Sequence, residues 1–310
     1  MNSTTTIAST VNTTATAATT TRTTTPTTLP SLYLSHGSPM TALEPREAGA
    51  FMQDLGPVIA ARFGRPKAIL IASAHSLTRE PVLLAAPRHA AVYDFGGFDD
   101  KLYTLRYDAP GAPALAERVQ TLLQGAGLPV HVSREGGLDH GIWTPLRYMF
   151  PDADIPVLPL AWPPNWSPAQ LFALGEALAP LADEGVLIIG SGSITHNLRR
   201  VFAGGGLHPQ PDRAATPESS AFRDWFAQRG AARDWDALLA YRAQAPHAVL
   251  MHPTDEHLLP YYVAAGAGGR EAPVRRVHAS LVFGDLGMDA FAFGPQAGAL
   301  QAALEAATTA

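Results

Sequence analysis

The sequence predicts an α/β fold, a single-domain open sheet that is mostly parallel or mixed, with helices on both faces and a site at the C-terminal ends of the strands. Three observations carry this. Short apolar runs alternate with longer segments of helical periodicity, the order expected of a layered α/β unit. The runs are apolar throughout rather than alternating, as in strands buried on both faces. Several of them stop at Ser, Gly or His, and in open α/β sheets ligands bind beyond such strand ends.

Leu32 to Leu34 is a first short strand, cut off by Ser35-His36-Gly37-Ser38-Pro39. Glu47 to Phe63 carries Phe51, Leu55, Val58 and Ile59 at helical spacing and closes at Gly64-Arg65-Pro66. Ala68 to Ala72 is a second strand, ending at Ser73-Ala74-His75, so Leu32 to Ala72 reads as a β-α-β unit. Pro81 to Ala85 and Val130 to Ser133 are expected to pair, with a helix from Pro113 to Leu123 between them that begins on a proline and ends at Gly125-Ala126-Gly127. A glycine-rich turn, Gly136 to Gly141, precedes a helix from Trp143 to Met149 and an apolar run from Ile155 to Leu160. Pro168 to Ala182 reads as a helix, and Val186 to Ile189 as a central parallel strand feeding the loop Gly190-Ser191-Gly192-Ser193. Helices follow over Ser219 to Arg229, Trp235 to Tyr241 and His257 to Ala264, then a strand from Arg275 to Phe283 and a helix from Gln296 to Ala307. Gly204 to Pro217 is rich in Gly and Pro and is expected to be a surface loop. Residues 1–29 are mostly Thr, Ala and Ser and are expected to form a disordered extension, leaving residues 30–310 as the catalytic domain.

Composition narrows the chemistry. The net charge of −5 supplies no basic surface for nucleic acid. With no cysteine in 310 residues, thiolate metal sites and cysteine nucleophiles are excluded, so a metal would have to be held by His and carboxylate. No apolar run reaches the roughly 20 residues that span a bilayer, and a cytoplasmic location without a membrane partner is expected. The sequence carries no handle on oligomeric state.

Five of the eleven histidines sit at the ends of apolar runs or beside Gly and Pro: His36, His75, His140, His196 and His252. Imidazole is the commonest metal ligand, and several rings gathered at one end of a sheet point to a metal centre. His36 and His75 end strands. His196 lies six residues beyond Gly190 and is open to either ligation or general-base work, with Asn197 beside it to orient a ring. Asp139 is the carboxylate next to His140, placed to fix its tautomer or raise its pKa, which gives His140 an acid-base or supporting role. His252 precedes a helix start and is the expected ligand there, Glu256 being the carboxylate alternative and His257 a residue of the first helical turn. Tyr93, Asp94, Phe95 and Tyr107 are candidates to line a ring-binding wall, and Arg199 to meet a substrate carboxylate. Trp143 reads as core. Gly190-Ser191-Gly192-Ser193 has neither the GK[ST] ending nor the GxGxxG spacing of a phosphate loop, and its serines do not sit in a G-x-S-x-G elbow. On the residues alone, a metal-dependent hydrolase using the same His cluster, or a zinc-binding protein without ring chemistry, stands as an alternative.

Seven segments, SHGSPM (35–40), SAHS (73–76), YDFGGF (93–98), LYTLRYDAPG (102–111), GLDHGIWTPLRYMFPDADIPVLPL (137–160), GSGSITHNLR (190–199) and HPTDEHLLPYYVAAGA (252–267), resemble the DOPA 4,5-dioxygenase type of class III extradiol ring-cleaving dioxygenase, in that family's order and over nearly the whole chain from Leu32 to Phe293. The resemblance implies an enzyme that inserts O2 into a catechol-type, DOPA-like aromatic, with one non-haem divalent metal. Fe(II) is expected for the oxygen chemistry, and Zn(II) is a possible occupant of an all-imidazole site. It also implies that His36, His75, His196 and His252 surround the metal, with His140 over the substrate. His196 is then both a metal residue and, with His140, a catalytic one. Related enzymes carry a Glu ligand, which leaves Glu256 as the alternative to His252.

Overall fold

A computed structural model describes residues 1, 28–203 and 211–309 of the chain. Eight strands form one mixed sheet: β1 (Ser31–Ser35), β2 (Ala68–Ser73), β3 (Val82–Leu84), β4 (His131–Ser133), β5 (Val157–Ala161), β6 (Val186–Gly192), β7 (Val274–His278) and β8 (Ala290–Phe293). Their order across the sheet is β4-β3-β5-β2-β6-β1-β8-β7. The central four, β5-β2-β6-β1, are parallel. Antiparallel pairs of β3 with β5, β1 with β8 and β8 with β7 extend the sheet on either side, and the expected pairing of β3 with β4 is parallel, with Val82 opposite His131.

The period-2 alternation of a strand explains how one sheet serves two cores. On β2, Ile69 and Ile71 face one side and Leu70 and Ala72 the other; on β6, Leu187 and Ile189 oppose Val186 and Ile188. The first face packs against α1 (Arg46–Phe63), α3 (His140–Met149) and α7 (Ala297–Thr308) through Leu55, Ile59, Ile142, Leu146 and Leu300. The second packs against α2 (Pro113–Gly125), α4 (Pro168–Leu178), α5 (Pro217–Ala232) and α6 (Pro260–Gly268) through Val119, Leu171, Phe172, Phe222 and Tyr261. These four central strands are completely buried, as their unbroken apolar runs require.

Local sequence explains most boundaries. Ser167 and Gln170 close a reciprocal capping box at the start of α4, ahead of Pro168. Thr216 caps α5 by accepting from the Ser219 amide. Several boundaries differ from the sequence reading, four of them near the site or in its supporting elements. α3 begins at His140 rather than Trp143. Trp235–Leu239 and Tyr241–Gln244 are separate short helices. α6 starts at Pro260, which suits a first helical position, so His257 lies ahead of it rather than in its first turn. The late strand ends at His278, and Leu281–Val282 pairs instead with Leu286–Gly287. Residues 2–27 of the Thr-rich extension and 204–210 of the Gly/Pro-rich loop lie outside the described residues, whereas Leu29, which the sequence reading placed in that extension, is buried in the core with its amide on Ala182 O (3.2 Å). No described helix is long and apolar enough to cross a membrane.

Candidate metal centre and active site

β1, β6 and β2 are neighbours and parallel, so their C-terminal ends emerge side by side. β6 serves as the rail on which the others are fixed. The His36 amide donates to the carbonyl of Gly192 (2.9 Å) and the Ala74 amide to that of Ser191 (2.9 Å), which seats the turns that carry His36 and His75. The segment ahead of α6 lies over the same strand end. There the carbonyl of His257 accepts from the Ser193 amide (2.8 Å) and from the Tyr33 hydroxyl (2.9 Å). Such contact needs bare backbone: a Cβ on Gly192 would stand 1.9 Å from the His257 oxygen, and one on Gly190 2.1 Å from that of Pro260. The glycines of Gly190-Ser191-Gly192-Ser193 thus make room for a second chain segment.

Five imidazoles converge here: His36, His75, His140, His196 and His257. Nε2 of His36 and Nε2 of His75 face each other at 3.1 Å. The His257 ring centre is 5.5 Å from that of His36 and 4.9 Å from that of His75, and the His196 ring stacks on it at 3.5 Å, nearly parallel. His36, His75 and His257 present donor atoms that all lie within 4.8 Å of one another, as do His196, Glu256 and His257, and His75, Asp94 and His140.

His252 is the sequence-predicted ligand that the structure does not bring to this cluster. It falls in none of the three groups, and its Nε2 donates to the carbonyl of Ile194 (2.9 Å). With the His196 amide on Met251 O (3.0 Å) and Asn197 Nδ2 on Leu250 O (2.6 Å), this bond ties the 194–197 turn to the 250–252 segment. His257, five residues on and just ahead of α6, is the residue of this segment whose ring stands with His36 and His75. Glu256 meets Nδ1 of His257 at 3.1 Å.

His140 opens α3 and is gripped by Asp94. The Asp94 carboxylate accepts from its amide (2.9 Å) and lies 3.0 Å from its Nδ1. The same carboxylate lies 3.6 Å from Nδ1 of His75. Asp139, the expected partner of His140, makes no hydrogen bond to that ring among the described residues and accepts instead from the hydroxyls of Ser73 (2.7 Å) and Ser76 (2.6 Å), bracing the turn that carries His75. Asp94, read from sequence as part of the ring-binding wall, takes the role expected of Asp139. Phe95 stands edge-on to His140 with ring centres 5.7 Å apart, and Tyr93, Phe95, Phe98 and Tyr103 form a half-buried aromatic group beside it. Tyr107 is buried and donates to Phe150 O, so it belongs to the core, as does Trp143. Arg199 is exposed and makes no hydrogen bond among the described residues.

Burial sets the protonation of these rings. It lowers the His75 pKa to about 4, helped by His140 and opposed by the Asp94 charge. It lowers that of His196 to about 4, opposed by Glu256. His36 and His257 lie well below the ordinary histidine value, first because they are buried and then because other imidazoles face them. Burial alone would raise Asp94, but the hydrogen bond and charge of His140 reverse that and hold it below the usual carboxylate range. Near neutral pH His36, His75, His196 and His257 are therefore neutral and Asp94 is ionised, a donor set that suits a divalent first-row metal such as iron or zinc. The ring nitrogens of His36 and His75 that point away from the shared centre face Ser191 and Asp94, which is how metal-binding histidines are customarily oriented. The residues fit a metal.

The sequence comparisons agree with this geometry. A family model described as the catalytic LigB subunit of aromatic ring-opening dioxygenase matches residues 30–290. Two relatives, each described as 4,5-DOPA dioxygenase extradiol, are from Beta vulgaris, 39% identical over 81% of this chain and 91% of its own length, and from Escherichia coli K12, 37% identical over 84% and 93%. The crystal structure of an uncharacterized protein from Escherichia coli K12 superposes with a TM-score of 0.67 at 31% identity, covering 86% of this chain and 100% of that one. The chain therefore belongs to the LigB family and is a metal-dependent, aromatic ring-opening dioxygenase.

Proposed function

We propose that the chain cleaves a DOPA-like catechol by extradiol insertion of O2, with Fe(II) held by His36, His75 and His257, His196 stacked against that set, and His140 as the proton carrier. The observation that carries the proposal is the pair of Nε2 atoms at 3.1 Å, each on a ring whose other nitrogen faces an oxygen. Two imidazole lone pairs at that distance repel unless a proton or a cation lies between them. Bound there, iron(II) would supply the redox chemistry that lets O2 react with a closed-shell ring.

The remaining tasks fall to side chains. Asp94 accepts a hydrogen bond from His140 Nδ1, which leaves Nε2 of His140 free to receive a proton from a catechol hydroxyl and to return it when the ring opens. The ionised Asp94 steadies the imidazolium formed between those events. Phe95, edge-on to His140, offers an apolar surface for the aromatic substrate. The names of the Beta vulgaris and Escherichia coli relatives support the choice of DOPA as first substrate.

The test is anaerobic loading of the full chain with Fe(II), addition of DOPA and related catechols, and admission of air. Stoichiometric O2 uptake with a yellow ring-opened product is expected. No O2 uptake with any catechol in the iron-loaded protein would overturn the proposal.

A further inference from the structure

Ser191 is fully buried on β6, and its hydroxyl has two partners. Its oxygen lies 3.0 Å from Nδ1 of His36 and within hydrogen-bond reach of the carbonyl of Gly141. A hydroxyl has one hydrogen to give, and a carbonyl oxygen can only accept. The hydrogen of Ser191 therefore goes to Gly141, and its oxygen is left to accept from His36. This polarity obliges His36 to carry its proton on Nδ1 and leaves Nε2 as a bare lone pair, directed at Nε2 of His75. Which imidazole nitrogen is free is set by the bond the other one makes.

We propose that Ser191 is a positioning residue that selects the metal-binding tautomer of His36 and joins that ring to the first turn of α3, where His140 sits. The inference rests on the assignment of His36 as a ligand. Gly141 is an independent sign that the relay is built. A Cβ there would stand 2.6 Å from Ser73 Oγ and 3.0 Å from the His36 ring, so the accepting carbonyl reaches its place only because residue 141 has no side chain. The two glycines beside Ser191 are accounted for by the segment 257–260, whereas nothing in that close approach requires a hydroxyl at 191.

The experiment uses the full chain stripped of metal and labelled with 15N-histidine, the His36 signals being assigned by their loss in His36→Ala. The wild type is expected to show the proton on Nδ1 of His36. Ser191→Ala, which removes the hydroxyl without adding volume, is expected to shift His36 toward the Nε2-protonated tautomer. It should also bind Zn(II) about 10–100-fold more weakly in competition with a chromophoric chelator. A proton on Nε2 of His36 in the wild type overturns the relay, and that result does not depend on any variant folding. So does a Ser191→Ala protein with unchanged tautomer and Zn(II) affinity. His36→Ala separates the two claims: if it retains Zn(II) as tightly as wild type, the ligand assignment is wrong, whereas loss of Zn(II) there with none in Ser191→Ala defeats the relay alone.

Discussion

Gly192→Ala should cripple metal binding although residue 192 carries no donor of its own. The added Cβ would sit 1.9 Å from the carbonyl oxygen of His257, whereas real Cβ contacts essentially never fall under 3.0 Å. The 257–260 segment must then retreat by about 1 Å or more, since the other side of the contact is a central, fully buried strand. Retreat lengthens the bonds from the Ser193 amide and the Tyr33 hydroxyl, now 2.8 and 2.9 Å, and draws the His257 ring away from His36 and His75. Overpacking of about 1–3 kcal/mol and two weakened hydrogen bonds of about 1 kcal/mol each give a destabilisation of roughly 3–5 kcal/mol. At about 2–4 °C per kcal/mol for a domain of this size, that lowers the melting temperature by roughly 6–20 °C. Thermal unfolding of the metal-free protein and Zn(II) competition measure the two effects. Gly96→Ala, where a Cβ meets nothing within 4 Å, is the control and should change neither. Wild-type melting and Zn(II) affinity in Gly192→Ala would refute the argument that backbone contact seats His257.

Four further outcomes are expected. His257→Ala should lose bound metal, whereas His252→Ala should keep it while losing about 1–3 kcal/mol of stability from the freed Ile194 carbonyl; chelator competition and urea unfolding read the two, and metal loss confined to His252→Ala would reverse the assignment. His140→Ala should retain metal and lose turnover by about 10²–10⁴-fold, the usual weight of a proton-transfer residue, as followed by O2 uptake; full activity would remove it from the mechanism. Asp94→Asn should lower turnover by a smaller factor with little change in metal content, because the His140 ring stays in place but loses its charged partner; wild-type turnover would deny Asp94 that role. In the metal-free protein His75 and His196 titrate at about 4 when folded and near 6.5 when unfolded. The unfolded chain then binds more protons between those values, so stability is full above about pH 6.5 and falls as pH drops toward 4. Urea midpoints at pH 7, 6 and 5 should decline in that order; a flat series would contradict the assigned burial.

Most of the scaffold was legible because parallel strands buried on both faces must be apolar throughout, and Ala68 to Ala72 and Val186 to Ile189 have no other reading. His36, His75, His140 and His196 were legible for a related reason, as each lies where a run or a glycine-rich turn ends. His257 was not. Its sequence neighbours suggest an early helical residue, and its true setting depends on contacts with Gly192 and with Tyr33, 224 positions away. The exchange of Asp139 for Asp94 has the same origin. Adjacency in sequence favoured the wrong carboxylate, because the first residue of a helix directs its amide and ring toward whatever lies across the turn, here a loop residue 46 positions earlier. Gly190 and Gly192, spaced one apart at the end of a central strand, are the sequence sign that something passes closely above it.

The two walls of the pocket differ in what holds them. On one side the histidines hang from main-chain bonds to a buried strand, where almost any side-chain change would move a donor. On the other, Tyr93, Phe95, Phe98 and Tyr103 are held by ring-edge contacts and by single hydroxyl-to-carbonyl bonds, partly in solvent. Under the proposed function, substrate range and reaction chemistry are thereby free to evolve separately. A library that randomises those four aromatics should yield folded, metal-binding variants with altered preference among catechols, whereas one spread over residues 190–193 should yield few folded proteins of any preference.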